Sequence, residues 1–138
     1  MRFLEIYIDG ASKGNPGHSG VGVAIYRDGE LVKKVSGYIG QATNNAAEYT
    51  ALIYALEEAL VLKARCLQIN TDSQLLARQM NRVYKVKHAG ILSLHSRANH
   101  LLSGFDKVTI SHIPREKNCL ADKLATQAIK SALGRSLI

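Results

Sequence analysis

Hydrophobic and polar positions alternate from the start of the chain. Leu4, Ile6 and Ile8 fall on one side of an extended segment and Phe3, Glu5, Tyr7 and Asp9 on the other, which predicts a strand over residues 3–9 ending in an acid. Residues 10–17 read as a turn-rich loop. β-Formers between glycines over 20–26, Asp28-Gly29 as a hairpin turn and a further run over 31–39 predict two more strands, so three antiparallel strands open the chain. From Thr43 the period lengthens: Ala47, Ala51, Leu52, Ala55, Leu56 and Ala59 recur at helical spacing as far as Leu62, with Thr43 or Asn44 as the N-cap. A buried strand over 66–71, helices over 73–81 and 90–102, a strand over 108–113 and a closing helix over 118–133 complete the pattern. The order βββαβααβα, with crossovers through helices, predicts an α/β fold in which a mixed sheet is flanked by helices, as one domain over 1–138.

Composition narrows the class. A chain of 138 residues can bury a core without staples, and no apolar run approaches the roughly 18 residues of a membrane span. Glu5 stands where an export signal needs its apolar stretch, which predicts a cytoplasmic, water-soluble protein. Cys66 and Cys119 lie outside any metal-ligand spacing and are read as buried thiols, with a bridge between them as the alternative. Charge says more. Eighteen Lys and Arg face 11 Asp and Glu, for a net +7, and between Lys63 and His100 the only acid is Asp72 among seven basic residues and three histidines. Such a surplus favours a polyanionic partner.

Four acids stand where a solvated surface has no need of them. Asp9 ends the first predicted strand, Glu48 lies one turn into the first helix, Asp72 follows the buried strand and Asp122 lies near the start of the last helix. Strand ends and helix starts converge on one edge of an α/β sheet, so all four can meet. Glu48 shares a helix face with Leu52, Ala55 and Ala59, and Asp122 shares one with Ala125 and Ile129, so both point inward. Gathered carboxylates repel one another and lose hydration unless a cation compensates. All-oxygen ligands favour Mg²⁺ or Mn²⁺, and a set of this size suits two ions roughly 3.5–4 Å apart, an arrangement that cleaves phosphodiesters by activating water and neutralising a leaving 3′ oxygen. Taken singly, each acid is better read as a cap, a turn residue or a surface charge.

The motifs around these acids decide between the two. Ile8-Asp9-Gly10-Ala11-Ser12 with Gly14-Asn15-Pro16-Gly17, then Thr43-Asn44-Asn45-Ala46-Ala47-Glu48, then Thr71-Asp72-Ser73, then Asn118-Cys119-Leu120-Ala121-Asp122-Lys123-Leu124-Ala125 follow one another along the whole chain. In this the sequence resembles type 1 ribonuclease H. The resemblance implies the ribonuclease H-like fold, a five-stranded mixed sheet flanked by helices. It implies that Asp9, Glu48, Asp72 and Asp122 are the catalytic, metal-binding set, and that the partner is an RNA/DNA hybrid cut in its RNA strand by a monomeric enzyme. It further implies that Asn15, Asn44 and Asn45 contact the minor groove and the RNA 2′-hydroxyls, and that Thr43 holds a phosphate of the DNA strand. Amide side chains suit that task, because they donate to and accept from a 2′-hydroxyl without reading the base.

Two departures from the family are visible. Many relatives carry a basic, Trp-containing helix and loop that grips the DNA strand; here there is no Trp, and the stretch between Asp72 and Asp122 is too short to hold it. Lys85, Lys87 and His88 are the residues left to take part of that phosphate contact, unless they are an ordinary solvated connector. Many relatives also place a histidine in a glycine-rich loop before the last acid. Here His112 holds that place but continues the alternating run of Val108 and Ile110, which predicts a strand residue packed against its neighbours, while Arg115 in the following turn can reach the scissile phosphate. Arg115 is the preferred catalytic assistant and His112 the alternative.

Rival readings are weaker. A 3′–5′ exonuclease of the same fold would carry an Asp-x-Glu pair on the first strand, and Asp9-Gly10-Ala11 lacks the Glu. A hybrid-binding module that has lost catalysis would have lost an acid, and all four are present. A first strand close behind Met1 favours a free-standing enzyme over a domain cut from a reverse transcriptase.

Overall fold

The computed structural model describes residues 3–136; Met1 and Arg2, where the export reading begins, lie outside them. The elements are β1 (Phe3–Gly14), β2 (Gly17–Arg27), β3 (Glu30–Ala42), α1 (Asn44–Val61), β4 (Cys66–Thr71), α2 (Gln74–Met80), α3 (Ala89–Leu102), β5 (Lys107–His112), a 3₁₀ turn (Arg115–Lys117) and α4 (Cys119–Ser136). Their order is the one predicted. They form a five-stranded mixed sheet, β3-β2-β1-β4-β5, with β1, β2 and β3 antiparallel and β4 and β5 parallel to β1 and to each other.

The alternation in β1 has the expected purpose. Leu4, Ile6 and Ile8 are fully buried and join Val21, Val23 and Ile25 of β2 beneath Leu52, Ala55 and Leu56 of α1. Each such aliphatic side chain contributes about 1.5–3 kcal/mol by leaving water, so this face carries the principal core. Successive side chains of a strand point to opposite faces, and on the other face of β2 the positions that meet α4 are glycine: Gly20 and Gly22 lie directly against its backbone. Thr43 caps α1, its Oγ1 accepting from the Ala46 N–H at 3.1 Å, and Ser73 caps α2 in the same way through Leu76 N–H. Just beyond the C-cap of α1, Lys63 adopts a left-handed backbone (φ 59°).

The structure corrects the reading of residues 10–17. They are not a loop: β1 continues through Gly14, and pairing down to Gly14 opposite Gly17 leaves a two-residue turn at Asn15-Pro16. Composition alone hides this, because glycines that look like turn residues here serve close approach between backbones. Asp9 therefore sits within a long strand and not at its end. The cysteines also differ from expectation, Cys66 being half-buried and Cys119 exposed, with no disulfide between them. No helix of the described residues is long and apolar enough to cross a membrane.

Candidate active site

Register brings the acids together. β1 pairs with β4 only as far as Ile8 opposite Thr71, so β1 runs on beyond the end of β4 and Asp72 emerges beside Asp9. On its other side Asp9 pairs with Gly22. Two glycines then set how near the helices come. A Cβ on Gly10 would lie 2.3 Å from the Ala47 carbonyl carbon and 2.4 Å from Glu48 N, and one on Gly22 would lie 2.0 Å from the Ala121 carbonyl oxygen. Only glycine admits α1 and α4 at those distances, since real Cβ atoms stay beyond about 3 Å of backbone. The first contact lets the Gly10 N–H donate to Glu48 Oε1, and the second seats the first turn of α4, with Asp122, beside Asp9.

The result is a compact acidic cluster. Carboxylate oxygens of Asp9, Glu48 and Asp72 all lie within 4.8 Å of one another, and Asp122 stands near enough to act on the Asp9 carboxyl. All four open onto a cavity of about 290 Å³, with Ser12, Asn44 and Arg115 on its walls. Asp9 is 5% exposed and Glu48 9%. Burial, reinforced by the charges of Glu48 and Asp72, pushes the Asp9 carboxyl up to about 9. Burial likewise raises Glu48 to about 8, against the opposing pull of the Gly10 N–H. Without a cation, then, the pair keeps a proton at neutral pH, because the charged forms are poorly solvated and repel each other. An all-oxygen donor set under that strain fits a hard divalent cation.

Beside the cluster runs a groove of about 410 Å³ lined by Asn15, Thr43, Asn44, Asn45, Glu48 and Ser73. The turn between β1 and β2 is tied to the start of α1 by the Asn44 N–H, which donates to Asn15 Oδ1 at 3.0 Å. Asn45 Oδ1 is buried and has no partner among the described residues. Four residues predicted to read the substrate thus share one surface that ends at Glu48.

The remaining predicted residues divide. Arg115, in the 3₁₀ turn, is exposed and lines the carboxylate cavity. His112 is the last residue of β5 and is exposed, not packed against neighbours, because the strand ends there and the chain turns away. It does not line the cavity. Lys85, Lys87 and His88 are exposed in the connector between α2 and α3 and line neither cavity nor groove. His88 has a local task, its Nδ1 accepting from the Gly90 N–H at 3.2 Å as the cap of α3. Sequence reasoning assigned no role to Ser12, which lines the cavity with its hydroxyl bonded to Gly14 and Ala42 carbonyls; had residues 10–14 been read as a strand, alternation would have placed it. It also gave no role to Asn118, although that residue stands in the last motif.

Known proteins agree with this geometry. Ribonuclease HI of Halobacterium salinarum is 42% identical over 130 residues, covering 94% of this chain and 65% of that protein. A bifunctional protein of Mycobacterium tuberculosis is 38% identical over 131 residues, of which this chain spans 36%. The chain therefore spans less than two thirds of either relative. LC11-RNase H1, solved in complex with an RNA/DNA hybrid, superposes with a TM-score of 0.90 at 40% identity, over 94% of this chain and 99% of that one. A family model described as reverse transcriptase-like matches residues 7–128. Related in this way along nearly its whole length, the chain belongs to the type 1 ribonuclease H family.

Proposed function

We propose that residues 1–138 are a single ribonuclease H domain, an endonuclease that hydrolyses the RNA strand of RNA/DNA hybrids and leaves 5′-phosphate and 3′-hydroxyl ends, acting as a cytoplasmic monomer. One observation carries the reading: the four carboxylates stand at the head of a groove walled by amide side chains. A carboxylate cluster alone suits many hydrolases, and an amide-lined groove alone suits many binders. Together they suit a polymer with 2′-hydroxyls and a scissile phosphate. The hybrid bound by LC11-RNase H1 supports the same substrate.

Asp9, Glu48, Asp72 and Asp122 would hold Mg²⁺ or Mn²⁺, two ions when the hybrid is bound. Such ions supply a lowered pKa for the attacking water and neutralise charge on the leaving 3′ oxygen. The chain's own groups do the rest. Asn15, Asn44 and Asn45 exchange hydrogen bonds with the minor-groove edge and 2′-hydroxyls, which keeps RNA rather than DNA over the carboxylates. Thr43, at the α1 N-terminus, receives a DNA-strand phosphate, where helix amides and dipole favour an anion. Arg115 presents a permanent charge to the scissile phosphate. Lys85, Lys87 and His88 give weaker, screened contacts farther along the duplex. All four acids come from one chain, so no second copy is needed to complete the site.

The test is incubation with strand-labelled RNA/DNA hybrid, DNA duplex and RNA duplex in Mg²⁺, Mn²⁺ or EDTA. Internal cleavage of the hybrid's RNA strand, dependent on the ion, is expected. Cleavage persisting in EDTA, or 2′,3′-cyclic phosphate ends, would refute the mechanism.

A further inference from the structure

Asn118 is 1% exposed and stands behind the carboxylates, immediately before α4. Its Nδ2 donates to the Ile8 carbonyl at 2.8 Å and to Asp72 Oδ2 at 3.3 Å. Its backbone carbonyl accepts from the Asp122 N–H at 3.1 Å, and its own N–H donates to the Arg115 carbonyl at 2.9 Å. One residue thus touches the strand that carries Asp9, the carboxylate of Asp72, the helix turn that carries Asp122 and the turn that carries Arg115. Among the described residues, no other side chain hydrogen-bonds to the Asp72 carboxylate.

The other end of the same amide is idle. Asn118 Oδ1 is buried and finds no partner among the described residues. A buried acceptor left unpaired costs stability, whereas an apolar side chain of the same shape removes that cost. Asparagine at this position is therefore a poor choice for packing. It is a good choice for holding a carboxylate: two N–H donors on one planar group fix both the direction of Asp72 and its offset from β1. Groups that orient ligands in this way typically alter metal affinity 10–100-fold when lost.

We infer that Asn118 is a positioning residue that sets the placement of Asp72 relative to Asp9 and Asp122, and so the affinity of the carboxylate cluster for a divalent cation. The inference rests on the proposed metal site. Its test compares wild type with Asn118→Leu, which keeps the branched shape, though larger, and removes the amide, and with Asn118→Ala. Mn²⁺ binding to hybrid-free protein is measured by calorimetry, melting temperature in EDTA by scanning, and kcat and KM on hybrid. Mn²⁺ affinity should fall about 10–100-fold in both variants, with kcat falling alongside and KM for hybrid changing less than about threefold. Asn118→Leu leaves the Ile8 carbonyl without its donor and should melt somewhat below wild type in EDTA, so positioning is read from Mn²⁺ affinity at a temperature where both proteins remain folded. As a check that needs no variant, the Asn118 side-chain amide signal should shift during Mg²⁺ titration of the wild type. Variants that lose only melting temperature while binding Mn²⁺ as wild type does, or an amide signal unmoved at saturating Mg²⁺, would overturn the inference and leave the nuclease reading standing. A wild type that binds no Mn²⁺ and cleaves no hybrid would overturn both.

Discussion

Replacing Asp9 by Asn removes the most enclosed acid of the cluster and should separate activity from stability. In the metal-free protein Asp9 is pushed up to about 9 by burial and by Glu48 and Asp72, whereas in the unfolded chain it titrates near 3.9. The folded state therefore binds a proton that the unfolded state releases across that interval. Stability falls with pH wherever the folded state binds more protons, so the contribution is intact below about pH 4 and is lost steadily as pH rises toward 9. At about 1.4 kcal/mol per pH unit, moving from pH 5 to pH 7.5 costs at most about 3.5 kcal/mol. The proton is shared with Glu48 and the site is partly hydrated, so about 1–3 kcal/mol is the working range. Asp9→Asn carries no such cost. In EDTA at pH 7.5 it should melt about 4–10 °C above wild type, with the gap closing toward pH 5, and saturating Mg²⁺ should narrow or reverse it by stabilising only the intact site. Turnover should fall at least about 1000-fold, as losing several kcal/mol of transition-state charge stabilisation requires. Scanning calorimetry from pH 5 to 8, with and without Mg²⁺, reads the first effect, and hybrid cleavage reads the second. A wild-type melting temperature that stays flat across that range in EDTA, or an Asn variant that melts at or below wild type at pH 7.5, would refute the electrostatic account of the cluster.

Other variants probe the scaffold and the groove. Arg115→Ala should lower kcat about 10–100-fold, by more than it raises KM, the mark of a group acting mainly in the transition state; His112→Ala, at an exposed strand end, should leave kcat and melting temperature close to wild type, and a slowed His112→Ala beside a kinetically silent Arg115→Ala would reverse the assignment. Gly10→Ala places a methyl 2.3 Å from the Ala47 carbonyl carbon, so it should cost about 1–3 kcal/mol and weaken Mn²⁺ binding by moving Glu48, as denaturant unfolding and calorimetry would show. Asn15→Ala should raise KM for hybrid several-fold at nearly constant kcat; an equal loss on a DNA duplex in a binding assay would argue against a role at 2′-hydroxyls.

Much of this was legible in the order of residues. Period-two and helical spacing located every strand and helix, because in this chain buried positions are nearly all aliphatic: Leu4, Ile6 and Ile8 on β1 and Ala51, Leu52, Ala55 and Leu56 on α1 are fully buried. The motifs located the four acids. What sequence hid was carried by residues without a strong pattern of their own. Gly10 and Gly14 look like turn formers in a string of letters, but only the pairing of β1 with β2 shows them to be strand positions. His112 continues an alternating run, yet its exposure depends on where β5 stops, and Arg115 reaches the cavity because a 3₁₀ turn follows. Asn118 has no meaning until Ile8 and Asp72, distant in sequence, lie on either side of its amide.

Asp9 arrives on β1, Glu48 on α1 and Asp72 on the turn after β4, and the last acid, Asp122, comes with α4, which docks over Gly20 and Gly22 of β2. A single domain folds as a unit, and until α4 docks the sheet face stays uncovered and Asp122 is missing from the cluster. Its cutting site is completed by the same docking event that covers the sheet. The helix that covers the sheet and the residue that completes the acid cluster are thus seated together, so loosening α4 from Gly20 and Gly22 would open both at once.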